Sequence, residues 1–86
     1  MFVIVNYDIE KKRCSKVMKF LRPYLHHVQE SVFVGEITDK TYKQIEKGLL
    51  ELIDDTYDRI ILYRIPTQKA LKIGVLGVQT WIENIL

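Results

Sequence analysis

The residues best suited to chemistry stand together at the end of the first predicted strand. Asn6-Tyr7-Asp8 follows a run of four apolar residues, which places the Asp8 carboxylate at the carboxyl end of a buried strand. Carboxylate oxygens are ligands that Mg²⁺ prefers, and because this ion keeps several waters, one protein carboxylate per chain is enough. The ion would activate a water nucleophile and neutralise a phosphodiester. Asp8 is therefore the candidate metal ligand and catalytic residue.

Asp8 also has a simpler interpretation, because aspartate is a preferred residue at the start of a helix. Without further context, a helix-capping role is the more common one for such a residue. The metal interpretation needs a symmetric dimer, which brings two copies of Asp8 towards one ion. Both alternatives stay open from the residues alone.

A basic segment follows Asp8 and is a candidate surface for phosphates. Residues 10–25 carry six basic side chains against the single acid Glu10, although the formal net charge of the chain is only +2. A local excess of this kind attracts nucleic acid without a strongly basic protein. The alternative is a solvated helix face. The basic residues are Lys11, Lys12, Arg13, Lys16, Lys19 and Arg22.

Three further residues are candidates for contact with a substrate, and each has a structural alternative. His26 and His27 point to opposite faces if they lie on a strand, so they cannot chelate one ion together, and His27 is the candidate for substrate contact. Phe33 would stack on a base, or pack in the core or a dimer interface. Ser31 would donate a hydrogen bond to a phosphate, or stabilise a chain reversal.

Hydrophobic periodicity predicts two helices and four strands around these residues. Apolar residues recur at three- and four-residue spacing over 11–25, where Pro23 ends the helix near Arg22, and again from the N-cap Thr38 to residues 54–55. The predicted strands cover residues 2–7, 59–65 and the extended run 26–37, which reverses near residues 30–31. Gly35 in this run predicts a bulge or a close backbone approach, and Gly48, inside the second helix, predicts a tight packing contact. In the tail, residues 72–76 are typical of a short fifth strand, and residues 78–86 fit a strand or a helix.

This order of elements predicts an α+β fold, the ferredoxin-like βαββαβ with an additional C-terminal strand. Right-handed crossovers place both helices on one face of an antiparallel sheet. The other face then needs cover, and a second copy of the chain is the simplest source. The 86 residues allow a single domain, spanning residues 1–86.

Composition and missing motifs argue against several classes of protein. The sequence has no phosphate-cradling glycine loop, nucleophile elbow or zinc-binding cluster. The one cysteine, Cys14, cannot form an internal disulfide and is expected to be a buried helical thiol. No apolar run approaches the ~20 residues of a membrane span. We therefore expect a cytoplasmic protein with no membrane partner.

Two motifs resemble the CRISPR-associated "Cas-two" family. The first is Tyr7-Asp8-Ile9 after an apolar strand and before a basic helix, and the second is residues 28–38 (VQESVFVGEIT). The similarity in length and element order covers the whole chain, whereas the motifs end near Thr38 and the tail matches only at Ile73-Gly74.

The resemblance implies a homodimer whose C-terminal strand can add to the partner's sheet. It also implies a Mg²⁺-dependent endonuclease acting on single-stranded RNA or double-stranded DNA, in which Asp8 is the metal-binding aspartate. It further implies a role in spacer integration with the CRISPR integrase subunit, and a catalytically silent architectural adaptor is the alternative. The predicted nucleic-acid-binding residues are Tyr7, Lys12, Arg13, Lys16, His27, Ser31 and Phe33.

The chain departs from the family pattern at two basic positions. The start of the first helix often carries several arginines in this family, and here it has only Arg13. Where an arginine is common before the Val-Gln pair, this chain has His27. Lysine and histidine do not reproduce the bidentate phosphate contacts of arginine, so both departures bear on nuclease activity.

Overall fold

The first strand, β1 (Phe2–Asp8), lies inside the sheet because most of its side chains are apolar on both faces. The computed structural model describes residues 1–72, 74, 76 and 77. β1 pairs antiparallel with β3 (Val32–Glu36) on one side and with β4 (Arg59–Ile65) on the other. β2 (His26–Gln29) pairs with β3. The strand order is β2-β3-β1-β4, the arrangement predicted for a ferredoxin-like sheet.

Both helices, α1 (Lys11–Leu21) and α2 (Asp39–Leu52), pack on the same face of this sheet. α2 begins at the predicted N-cap Thr38, whose hydroxyl accepts a hydrogen bond from the Thr41 N–H. No helix within the described residues is long and apolar enough to cross a membrane. The core between helices and sheet comprises Val3, Val5, Tyr7, Val17, Leu21, Leu25, Phe33, Tyr42, Ile45 and Leu49.

Gly48 lets α1 and α2 approach each other closely. A Cβ at this position would lie 2.6 Å from Cε1 of Phe20 and nearer still to Cζ. Glycine in a helix interior costs about 1 kcal/mol relative to alanine, so a packing contact is the reason to keep it. The packing role predicted for this glycine is therefore confirmed.

The opposite face of the sheet, which we call the open face, carries no α-helix among the described residues, although Leu71, after the 3-10 helix Gln68–Ala70, packs at it. A small apolar cluster of Phe2, Val28 and Val34 covers part of it. On β4, Ile61 is 36% exposed and Tyr63 is 49% exposed. Large apolar side chains on an uncovered sheet face are typical of a protein-binding surface.

The structure differs from the sequence-based prediction at three places. Of the bulge and the close approach predicted for Gly35, the structure has the close approach, since a Cβ there would lie 2.8 Å from Cδ2 of Leu25. The irregularity lies instead in β2, between His27 and Gln29. α2 ends at Leu52 rather than at residues 54–55. Of the predicted strand 72–76, residues 72, 74 and 76 lie in no strand of the described structure. The rest of the predicted tail, residues 73, 75 and 78–86, lies outside the described residues.

Candidate metal and nucleic-acid site

Asp8 is the last residue of β1, and its side chain is exposed. Its Cα lies opposite that of Arg59 on β4, and side chains of opposed residues share a face of the sheet. The two residues line an open depression of about 700 Å³, whose other lining residues are Ile9, Glu10, Lys11 and Tyr57. The carboxylate therefore faces solvent in a concave and charged setting.

The helix-capping alternative for Asp8 is wrong. The N-cap of α1 is Glu10, and no side chain of that residue caps the helix. Among the described residues, the side chain of Asp8 takes part in no hydrogen bond or ion pair. Its carboxylate is consequently available for a ligand.

The start of α1 is bound instead by Asp58, which follows α2 on the loop before β4. Its carboxylate is buried, and it accepts a hydrogen bond from the Glu10 N–H at 2.8 Å. It also accepts two from Arg13, at 2.6 Å from Nε and 2.9 Å from Nη2. A fourth comes from the Asp54 N–H at 2.9 Å. These contacts hold the pKa of Asp58 well below its usual range, and the hydrogen bonds from Arg13 have the largest effect.

Arg13 is therefore a structural residue, and its contact with nucleic acid stays a prediction. Its guanidinium makes a bidentate pair with the buried Asp58, and its side chain is mostly buried as well. The pair raises the pKa of Arg13, chiefly through the hydrogen bonds to Asp58. The pair uses Nε and Nη2 of the guanidinium, and the side chain is 18% exposed, which leaves little of it for a phosphate.

Lys12 and Lys16 lie on the exposed side of α1. Lys12 has one ion-pair contact, 3.7 Å from its Nζ to Oε2 of Glu10, and its side chain is largely exposed. Exposed pairs of this kind are weak and are screened by salt. Both lysines are thus placed to meet phosphates, which keeps their predicted role open.

Phe33 and Tyr7 are core residues, so the stacking predicted for Phe33 is corrected. The Phe33 ring is fully buried, and His27 stacks on it with ring centroids 4.4 Å apart. Tyr7 lies near Phe33, with centroids 6.2 Å apart, and donates a hydrogen bond from its hydroxyl to the Glu30 carbonyl. Neither ring offers a free face to a base, and the direct nucleic-acid contact predicted for Tyr7 is corrected as well.

Burial raises the pKa of the Tyr7 hydroxyl, and the nearby Cys14 thiol raises it further. Tyr7 therefore stays protonated at neutral pH and acts as a hydrogen-bond donor rather than as a base. Cys14 itself is partly buried in α1, with its Sγ 3.7 Å from the Glu10 carbonyl. The predicted structural role of this thiol fits that position.

Ser31 lies in the turn between β2 and β3, where the predicted chain reversal occurs, and His27 lies in β2. His27 is the exposed member of the stack with Phe33, and its Nε2 lies 3.2 Å from the Glu30 carbonyl. The Ser31 carbonyl accepts a hydrogen bond from the Tyr7 N–H at 3.0 Å, which connects this turn to the end of β1. His27 and Ser31 remain predicted contacts for nucleic acid.

The donor set around Asp8 fits a magnesium ion that retains most of its waters. No group of three or more histidine, cysteine, aspartate or glutamate side chains that would hold a metal occurs in the part of the chain that the structure describes. One exposed carboxylate at the end of a strand matches the few protein oxygens that Mg²⁺ needs. It does not match the closed nitrogen and sulfur set of structural zinc.

Sequence reasoning missed the three consecutive residues Tyr57, Asp58 and Arg59. In the sequence Asp58 looks like any acidic residue of a loop, because the four hydrogen bonds to its carboxylate come from groups 4 to 48 residues away. Tyr57 and Arg59 come next to Asp8 only when β4 pairs with β1. The one signal available was the position of Arg59 at the first residue of a predicted strand.

The fold and the exposed carboxylate define a small ferredoxin-like protein with a candidate metal site at the end of its first strand. A sequence profile described as "CRISPR associated protein Cas2" matches residues 1–73. The chain belongs to this family, which confirms the resemblance predicted from residues 7–9 and 28–38.

The chain is similar to curated proteins named "CRISPR-associated endoribonuclease Cas2". It is 42% identical to the one from Thermococcus kodakarensis and 43% identical to the one from Pyrococcus furiosus, each over 87 aligned positions and 100% of both chains. It is also similar to the crystal structure of Streptococcus pyogenes Cas2 at pH 6.5, with a TM-score of 0.79 and 30% identity. That similarity covers 90% of this chain and 100% of the other. The ferredoxin-like fold is thereby confirmed.

Proposed function

We propose that this chain is a Mg²⁺-dependent endonuclease that cleaves single-stranded RNA, with Asp8 as the metal ligand. The observation that carries the proposal is the exposed Asp8 carboxylate, which takes part in no hydrogen bond among the described residues and lies in a depression beside Arg59. The name "endoribonuclease" of the curated relatives supports the reaction and the substrate. Double-stranded DNA is a second phosphodiester substrate with the same backbone chemistry.

The side chains around Asp8 divide the work of binding a phosphodiester. Asp8 would hold the ion, which when bound supplies positive charge at the phosphate and a more acidic water. Arg59 and Lys11 line the same depression and are placed to neutralise the remaining backbone charge. Tyr7 stays neutral because its pKa is raised, so the buried hydroxyl fixes the end of β1 rather than moving protons.

The proposal includes a homodimer that forms through the open face of the sheet. Ile61 and Tyr63 are partly exposed there, beside the thin cluster of Phe2, Val28 and Val34. A second copy would bury these side chains and enlarge the core of a small domain. Asp8 lies at the end of β1, so a two-fold axis near that end of the strand would bring the two copies of Asp8 towards one site.

Removing the metal is expected to stop cleavage. Excess EDTA should reduce cleavage of a labelled single-stranded RNA to the level of buffer alone, and added Mg²⁺ should restore it on a denaturing gel. Ca²⁺ should restore less, because it takes six to eight oxygen ligands at longer distances. Cleavage at full rate in EDTA would show that the reaction needs no divalent ion and would contradict the proposal.

A second candidate function is an architectural adaptor that binds spacer DNA and bridges copies of the CRISPR integrase subunit in the cytoplasm. The observation that favours it is the row of exposed lysines on α1, which is separate from the Asp8 depression except at Lys11. Membership of the Cas2 family supports the pathway. This function does not exclude the nuclease, because the two use different surfaces.

The adaptor predicts that the exposed lysines of α1 bind the DNA backbone. Replacing Lys12, Lys16 and Lys19 together with alanine should weaken binding of duplex DNA and reduce the salt slope by up to about 2.7, at ~0.9 per phosphate contact. Fluorescence anisotropy at several salt concentrations measures both quantities. Arg13 is left unchanged, because its loss would leave the buried Asp58 carboxylate without its ion-pair partner and perturb the fold.

A matched variant distinguishes this surface from net charge. Replacing Lys40, Lys43 and Lys47, which are exposed on α2, removes the same charge from the other helix. An equal loss of affinity in both triple variants would indicate a non-specific charge effect. An unchanged salt slope in the α1 variant would mean that this helix face is only solvated.

A further inference from the structure

The segment Tyr57-Asp58-Arg59 presents its two outer side chains to solvent because the middle one is anchored in the protein. Asp58 is buried and accepts hydrogen bonds from α1 and from its own loop. The loop is closed by further bonds from the Tyr57 and Asp58 N–H groups to the Asp54 carbonyl, at 3.0 and 2.7 Å. Tyr57 is 71% exposed, an unusual position for a large aromatic side chain held on a well-bonded loop.

The outer side chains share one depression with Asp8. Tyr57, Arg59, Lys11 and Asp8 line it together. Arg59 stands directly opposite Asp8 across the β1–β4 pair, at a spacing of about 5 Å between Cα atoms. The depression therefore combines an aromatic ring, a guanidinium and an exposed carboxylate within the reach of one or two nucleotides.

We propose that Tyr57 and Arg59 form a nucleotide-binding subsite beside Asp8, in which Tyr57 stacks on an unpaired base and Arg59 binds the adjoining phosphate. The ligand class is single-stranded RNA, because a base can stack on Tyr57 only when it is not paired in a duplex. The subsite deepens the proposed nuclease function, and it would hold the strand so that one phosphodiester lies at Asp8.

The charges in the depression fit this arrangement. Asp8 and Glu10 are anionic, but Glu10 is directed towards Lys12 and Arg13, 3.7 Å from each. Arg59 and Lys11 then supply the positive charge that faces the depression, and Arg59 can bind phosphate oxygens in a bidentate manner. An aromatic platform next to a cation is the usual means of binding a single strand without reading its sequence.

The subsite is tested by the affinity of a fluorescent single-stranded oligoribonucleotide, with Ca²⁺ in place of Mg²⁺ and the strand checked for intactness. Tyr57→Ala should weaken binding on the order of 10-fold, whereas Tyr57→Phe should bind as the parent does, since stacking needs only the ring. Arg59→Ala should lower the salt slope by about 0.7, the loss of one phosphate contact on a single strand. A strand without bases should bind the parent and Tyr57→Ala equally.

Tyr24→Ala is the matched control, because Tyr24 is also exposed but lies outside the depression. Thermal unfolding of every variant checks that the fold is kept. Equal affinity of Tyr57→Ala and the parent, or no binding by the parent, would overturn the subsite. The nuclease proposal fails separately, by absence of Mg²⁺-dependent cleavage, and the subsite survives that result if binding still depends on Tyr57 and Arg59.

Discussion

Asp8→Asn is expected to lose RNA cleavage by roughly 100-fold or more, because even residues that only support a metal ligand cost 10- to 100-fold when removed. Asparagine keeps the size of the side chain and removes the charge that holds the ion. The side chain of Asp8 makes no hydrogen bond among the described residues, so the variant should keep the thermal midpoint of the parent. The rate of cleavage of a labelled RNA in Mg²⁺ measures the loss.

The same preparation should keep its oligomeric state, measured by light scattering after size exclusion. Asp39→Asn is the control with an identical change of charge, since Asp39 is exposed and lines a different depression, with Met1 and Arg64. Cleavage by Asp8→Asn at the rate of the parent would assign the activity to another site or to a contaminating nuclease. A monomeric parent would remove the dimer from the proposal.

Asp58→Asn is expected to produce the largest loss of stability of any single polar substitution in the described chain. The asparagine amide would face Arg13 with a donor where the carboxylate accepts. Each carboxylate oxygen accepts two hydrogen bonds, so two of the four would be lost. Leaving buried hydrogen-bond donors without an acceptor is one of the few ways in which a single substitution lowers the free energy of unfolding strongly. We expect the thermal midpoint to fall on the order of 10 °C.

The pH dependence of the free energy of unfolding tests whether the ionised carboxylate of Asp58 is the stabilising group. Folding lowers the pKa of Asp58, so the unfolded chain binds this proton more tightly than the folded chain. The stabilisation is therefore fully present above the ordinary value of 3.8 and is lost as the pH falls below it. Asp58→Asn should remove this part of the acid sensitivity, which denaturant unfolding at a series of pH values measures.

Asp55→Asn is the control for Asp58, because Asp55 is exposed on the same loop and carries the same charge. Its midpoint and pH dependence should match those of the parent. A parent and an Asp58→Asn variant of equal stability from pH 7 to 3 would show that the pair with Arg13 contributes nothing. Reduced RNA affinity in Asp58→Asn, at a temperature where it is folded, would follow from misplacement of Tyr57 and Arg59.

Local patterns in the sequence were sufficient to predict the secondary structure and the fold of this protein. The apolar run before Asp8, the α1 and α2 periodicities and the N-cap Thr38 each depend on residues within a few positions of one another. Such patterns are read directly from the chain, because helix and strand periods are set by backbone geometry. The order of elements then leaves few topologies, and the ferredoxin-like one was among them.

The partners of individual side chains were decided by the tertiary structure. Arginine and phenylalanine are residue types that often contact nucleic acid. In the structure, however, Arg13 pairs with Asp58, and His27 stacks on Phe33. A sequence shows that Arg13 is basic, but it does not show which acid from 45 residues away will reach it. Burial and pairing depend on long-range packing, so residue type alone does not show the structural role of either side chain.

For Asp8, the sequence determined its type, its place at the end of a strand and the family to which its motif belongs. Only the tertiary structure decided that it does not cap α1, because Asp58, 48 residues away from Glu10 in sequence, accepts the hydrogen bond from the Glu10 N–H. The same packing set Tyr57 and Arg59 beside it. Pairing of β1 with β4 joins residues about 50 positions apart, and no local pattern in the sequence encodes that distance.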